Sequence, residues 1–92
     1  MKSSLKIKVE HASGLHARPA SMFVKTANTF TSSILVQNLN DMSDPVNAKS
    51  ILSVLTLGVS QNHEIEIVAE GEDADEAVNA LKNLIESNFG ED

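Results

Sequence analysis

The chain has 92 residues, no cysteine, seven basic and thirteen acidic side chains, and a net charge of −6. That length fits one domain, read here as spanning 1–92, and the lack of cysteine excludes disulfide staples and thiolate metal sites. Phe23, Phe30 and Phe89 are the only aromatics, so base stacking is poorly supplied; the sign of the charge argues against nucleic acid and leaves docking onto a basic protein surface open.

The opening MKSSLKIKVE alternates charged and apolar residues and has no apolar signal-peptide core. No run approaches membrane-spanning length, so the expected state is soluble and cytoplasmic. Leu5, Ile7 and Val9 alternate with Lys6, Lys8 and Glu10, which predicts a half-buried strand. Ser13-Gly14 breaks it. From Ala17 the period lengthens: Ala20, Phe23, Val24, Ala27 and Phe30 fall three and four apart, which predicts an amphipathic helix with Ser21, Lys25 and Asn28 outward. Pro19 is tolerated in the first turn, where amides lack acceptors.

SILVQN (33–38) predicts a second strand, LNDMSDP an acidic turn, and Val46 a short third strand. KSILSVLTLGV (49–59) predicts a helix starting near Ser50 and stopping at Gly58. EIEIVAE (64–70) alternates again as a fourth strand. Asp73 and Glu76 have capping-box spacing ahead of a last helix marked by Ala77, Val78, Leu81, Leu84 and Ile85. The order β-α-β-β-α-β-α, with alternating strands, predicts an α+β fold: a mainly antiparallel sheet with helices over one face.

The chemistry concentrates in GLHARPA (14–20). With the helix starting at His16, the amides of Ala17 and Arg18 have no intrahelical acceptors and sit at the positive end of the helix dipole. A phosphoryl group on the imidazole would find hydrogen-bond donors there, and Arg18 adds a charge-assisted contact. Gly14 lets the loop turn, and Ala17 is too small to obstruct a partner. The plain alternative is a helix-capping histidine beside a solvated arginine. Ser50 likewise reads first as an N-cap hydroxyl. The following helix is too short to turn Ile51, Leu52, Val54, Leu55 and Leu57 all inward; either it is deeply buried or it leaves an apolar docking patch.

His11 and His63 flank the first and fourth strands and are expected at the surface. Three scattered histidines lack zinc-site spacing, EGEDADE (70–76) lacks that of an EF-hand loop, and no glycine-rich nucleotide loop is present. The expectation is no metal and no cofactor.

GLHARPA, followed by NAKSILSVLTLGV (47–59), resembles HPr, the histidine-containing phosphocarrier family of the bacterial phosphoenolpyruvate:sugar phosphotransferase system. The likeness covers nearly the whole chain. It implies an open-faced β-sandwich, a four-stranded antiparallel sheet covered on one face by three helices. It implies a carrier rather than an enzyme: His16 accepts a phosphoryl group on Nδ1 from Enzyme I and passes it to a histidine of Enzyme IIA, with Arg18 and the Ala17 amide steadying the phosphate. Magnesium belongs to the Enzyme I step. Ser50 takes the place of the serine that an HPr kinase/phosphorylase modifies in many Gram-positive members. Ser21, Lys25, Ile51, Leu52 and Leu55 fall where partners dock, with Leu52 and Leu55 expected to be exposed. A monomer is expected. A regulatory module read by a transcription regulator, or a nitrogen-branch paralogue, are the other roles this resemblance allows.

Departures from the family pattern bear on partner choice. Ser53 replaces a common glycine, Leu52 and Leu55 replace common methionines, and Thr29 stands where lysine is frequent. The 38–45 connection, with Asp41 and Asp44, is longer and more acidic than usual.

Overall fold

The computed structural model describes residues 1–91. The elements run β1 (Lys2–Lys8), α1 (Ala17–Ala27), β2 (Ser33–Asn38), β3 (Val46–Asn47), α2 (Ile51–Leu55), β4 (Glu64–Glu70) and α3 (Ala74–Glu86), with a 3-10 turn at Asn88–Gly90. The four strands form one antiparallel sheet in the order β1-β4-β2-β3. This is the expected open-faced architecture: three helices cover one face and the other is wet.

Alternation builds that asymmetry. Ile65, Ile67 and Ala69 of β4 and Ile34 and Val36 of β2 are buried beneath the helices. On the open face, Lys2, Lys6 and Lys8 stand opposite Glu70, Glu66 and Glu64 across the β1–β4 pair. Helix spacing supplies the other half of the core. Pro19, Ala20, Phe23 and Ala27 of α1 and Ala74, Ala77, Val78, Leu81 and Ile85 of α3 are its buried stripes. Fully burying one of these large side chains contributes about 1.5–3 kcal/mol.

Three local expectations are corrected. First, α2 ends at Leu55 instead of reaching Gly58; the Thr56 amide folds back on Leu52 and Ser53, and Gly58, at φ +60°, turns the chain away. Second, Asp73 is the N-cap of α3 but makes no cap bond, so no capping box forms. Its carboxylate instead accepts from the amides of Thr31 (2.8 Å) and Ser32 (2.9 Å) and from both their hydroxyls. These bonds, that from the Ser32 hydroxyl foremost, lower its pKa to about 2. Gly71 makes the close approach possible, because a side chain there would run into Ser32.

Third, His11 is not a surface residue, and His63 is only partly exposed. His11 is 8% exposed, and its ring nitrogens meet Glu91 and the Ser13 amide. His63 is half-buried, its Nδ1 accepting from the Ser60 amide (3.1 Å) and lying 3.3 Å from Nδ2 of the buried Asn38. Asn38 also donates to the Leu57 carbonyl at 3.0 Å. Such partners satisfy buried polar atoms, which is why burial is tolerated. The 38–45 connection closes on itself through Gln37 to the Ser43 carbonyl and Asn40 to the Asn38 side chain, leaving Met42 exposed.

Candidate functional site at the start of the first helix

The segment leading to His16 is tied to the loop before β4. Val9 donates to the His63 carbonyl (2.9 Å) and Leu15 to the Val59 carbonyl (3.0 Å), and the Leu15 side chain is fully buried. Gly14, at φ +60°, lies so near Val59 and Ser60 that a Cβ would fall on the Val59 oxygen. Glycine is therefore required at this turn for both conformation and space.

That anchoring sets His16 as the N-cap of α1, extended at φ −126° and ψ 167°, with its ring half-exposed. The ring forms no cap bond and has no side-chain partner among the described residues. Ala17 and Arg18 are exposed, and their amides find no hydrogen-bond acceptor among the described residues; the first α1 amide to reach back is that of Ala20, to the His16 carbonyl. Ala17 is at φ +52°, a left-handed conformation that costs a non-glycine residue roughly 1–2 kcal/mol. Arg18 makes no ion pair among the described residues. Chemically, this is a nucleophilic ring beside two unused donors and a cation, the components of an anion site.

Ser21 and Lys25, one turn apart on α1, share a shallow depression with Val24, Asn28 and Ile51. Asn28 ties the end of α1 to the segment leading into α2, its Nδ2 donating to the Val24 carbonyl (3.0 Å) and the Lys49 carbonyl (3.1 Å). On α2, Val54 is buried while Ile51, Leu52 and Leu55 are 39%, 75% and 37% exposed. The deeply buried alternative for that run is thus overturned, and Leu52 stands out most. Ser50 is the N-cap of α2, its Oγ accepting from the Ser53 amide at 3.3 Å.

The acidic total misleads at this surface. Residues 11–40 and 45–63 contain no carboxylate and include Arg18, Lys25 and Lys49. The charge that suggested a basic partner lies elsewhere, on β4, α3 and the connections. Sequence reasoning also missed Asn28 as a brace and His11 as an anchor. The signal for His11 was local: an acceptor two residues before the Ser13 amide, the spacing of an Asx turn.

A family model described as the PTS HPr component phosphorylation site matches residues 3–87. The multiphosphoryl transfer protein of Haemophilus influenzae is 46% identical over 85 residues, which is 92% of this chain and 17% of that protein; the chain thus spans under one fifth of that relative's length. The phosphocarrier protein HPr of Haloferax volcanii is 46% identical over 72 residues, 78% of this chain and 80% of that one. In three dimensions, the crystal structure of HPr-C-His from Thermoanaerobacter tengcongensis superposes with a TM-score of 0.92 at 48% identity, covering 98% of both chains. No helix among the described residues is long and apolar enough to cross a membrane. Identity at this level, carried through sheet and helices alike, means that the chain belongs to the HPr family of the phosphotransferase system.

Proposed function

We propose that this chain is a phosphoryl carrier, taking the group from Enzyme I on His16 and yielding it to a histidine of an Enzyme IIA domain. The observation carrying this reading is the half-exposed His16 ring, without a hydrogen bond among the described residues, set against the amides of Ala17 and Arg18, which find no acceptor among them. The lone pair of the ring nitrogen, Nδ1 by family resemblance, attacks phosphorus in line with the donor's P–N bond. One N–P bond forms as the other breaks, and the donor ring regains its lone pair. Both amides and the Arg18 guanidinium donate to the phosphoryl oxygens, so the carrier supplies position and charge rather than a proton. It is a substrate of two enzymes, not a catalyst with turnover of its own.

Docking falls to Ser21, Lys25, Ile51, Leu52 and Leu55, a small surface suited to transient complexes. The place of work is the cytoplasm, and residues 1–92 act as one domain and as a monomer. Ser50 borders the same apolar patch. Phosphorylation there by an HPr kinase/phosphorylase would set about two negative charges beside the patch and impede docking, or mark the chain for a transcription regulator.

The test is incubation with phosphoenolpyruvate, magnesium and either a sugar-branch or a nitrogen-branch Enzyme I. An acid-labile gain of one phosphoryl unit at His16 with the sugar-branch enzyme is the expected result. Preference for the nitrogen-branch enzyme moves the chain to that pathway, and no gain with either defeats the reading.

A further inference from the structure

His11 lies five residues before His16, and its ring is held by the Glu91 carboxylate, the Phe89 ring and the Ser13 amide. Its Nδ1 accepts from the Ser13 amide at 3.0 Å, so the neutral ring carries its proton on Nε2. Nε2 donates to Oε1 of Glu91 at 2.9 Å, across 80 residues of sequence. The His11 carbonyl accepts from the Gly14 amide at 2.8 Å. Phe89, buried at φ +57°, meets the ring edge-on, with centroids 5.7 Å apart.

Glu91 is itself fixed. Its amide donates to the Asn88 carbonyl (3.1 Å), and its own carbonyl accepts from Nδ2 of Asn88 (3.3 Å). The turn that carries it follows directly on α3. A chain of bonds therefore runs from the end of α3, through Glu91 and the His11 ring, to the Ser13 and Gly14 turn. Beyond that turn, Leu15 is bound to Val59 and the next residue is His16. The segment before the phosphoryl site is held at its far end by the C-terminal turn and at its near end by the loop before β4.

The geometry points to Glu91 and His11 as a clasp that positions the His16 loop, making His11 a positioning residue for phosphoryl transfer. The inference rests on His16 being the acceptor. The clasp lies outside α1 and α2, where partners would dock. Releasing it leaves docking in place while widening the range of His16 orientations at the moment of transfer.

Two variants open the same bond from opposite sides. Glu91→Ala removes the acceptor. His11→Asn keeps an acceptor for the Ser13 amide, as in an Asx turn, but is too short to reach Glu91. Exchange of the Gly14 amide in Glu91→Ala should speed up about tenfold. With phosphoenolpyruvate and Enzyme I, kcat for labelling His16 should fall about fivefold at unchanged KM in either variant. The double variant should be no worse than either single one, because both break one link. Glu91→Gln, which retains an oxygen acceptor, should restore kcat to within about twofold of the parent.

A purely structural role would lower the melting temperature and leave kcat alone. Unchanged Gly14 exchange in Glu91→Ala overturns the clasp, as does a labelled parent chain whose Glu91→Ala variant keeps kcat within about twofold. If the parent chain takes no phosphoryl group, the carrier reading fails by itself, and the exchange measurement alone decides the clasp.

Discussion

Two helix starts in this molecule have an N-cap residue whose side chain does not cap. At α3 the residue is Asp73, and its carboxylate reaches across to Thr31 and Ser32, sewing the entry of β2 to the end of β4. At α1 it is His16, whose ring reaches nothing among the described residues. One side chain is spent on holding two segments together, and the other is left with its chemistry available. A helix start is thus an opportunity whose use depends on what the neighbouring chain brings to it: at Asp73 two amides and two hydroxyls, at His16 only the helix's own donors.

The largest effect expected from breaking this contrast is at His16. His16→Ala should abolish acid-labile labelling by phosphoenolpyruvate and Enzyme I while shifting the melting temperature little, because the ring makes no hydrogen bond among the described residues that folding would lose. Next, Leu52→Asp should weaken association with Enzyme I by about tenfold, seen as a raised KM, with the circular dichroism spectrum unchanged. Unaltered labelling kinetics would remove the α2 patch from the interface.

Asp73→Asn should act in the opposite sense, lowering the melting temperature by several degrees and sparing His16 labelling. Its pH dependence is set by sign. The folded carboxyl titrates at about 2, below its ordinary 3.8, so the ionised form is what folding favours. The parent's advantage over Asp73→Asn is fully present above about pH 4 and is lost as pH falls through about 2. A gap that persists at the acid end would mean that the bonds to Thr31 and Ser32 do not depend on the charge. The smallest effect belongs to Ser50→Ala, which should cost about 0.5–1 kcal/mol in urea unfolding, given the long 3.3 Å cap bond.

The regular elements were legible where period alone decides. β2 and β4 occupy the predicted 33–38 and 64–70, because alternation marks both ends of a strand with one wet face. α1 starts at the predicted position, where Pro19 can stand only in a first turn. What period could not reveal was any contact formed between residues far apart in sequence. His11 looks polar and peripheral until Glu91 and Phe89 arrive to enclose it. Asp73 has the spacing of a capping box, and only the fold brings Thr31 and Ser32 close enough to outcompete the local bond. The buried 3-10 turn around Phe89 follows no period and was not anticipated. The arrangement of His16, Ala17 and Arg18 was visible in one heptad, because a helix start is local geometry. For α2, shortness alone required that some apolar side chain be exposed, and only the family resemblance singled out Leu52 and Leu55.

Acidic as a whole, the chain nevertheless has three of its seven cations, Arg18, Lys25 and Lys49, in segments that contain no carboxylate. Long-range attraction of an acidic partner surface to these three cations should therefore aid encounter on the side that carries His16. Raising ionic strength should slow encounter far more than it speeds departure, since screening erases that attraction but leaves short-range packing untouched.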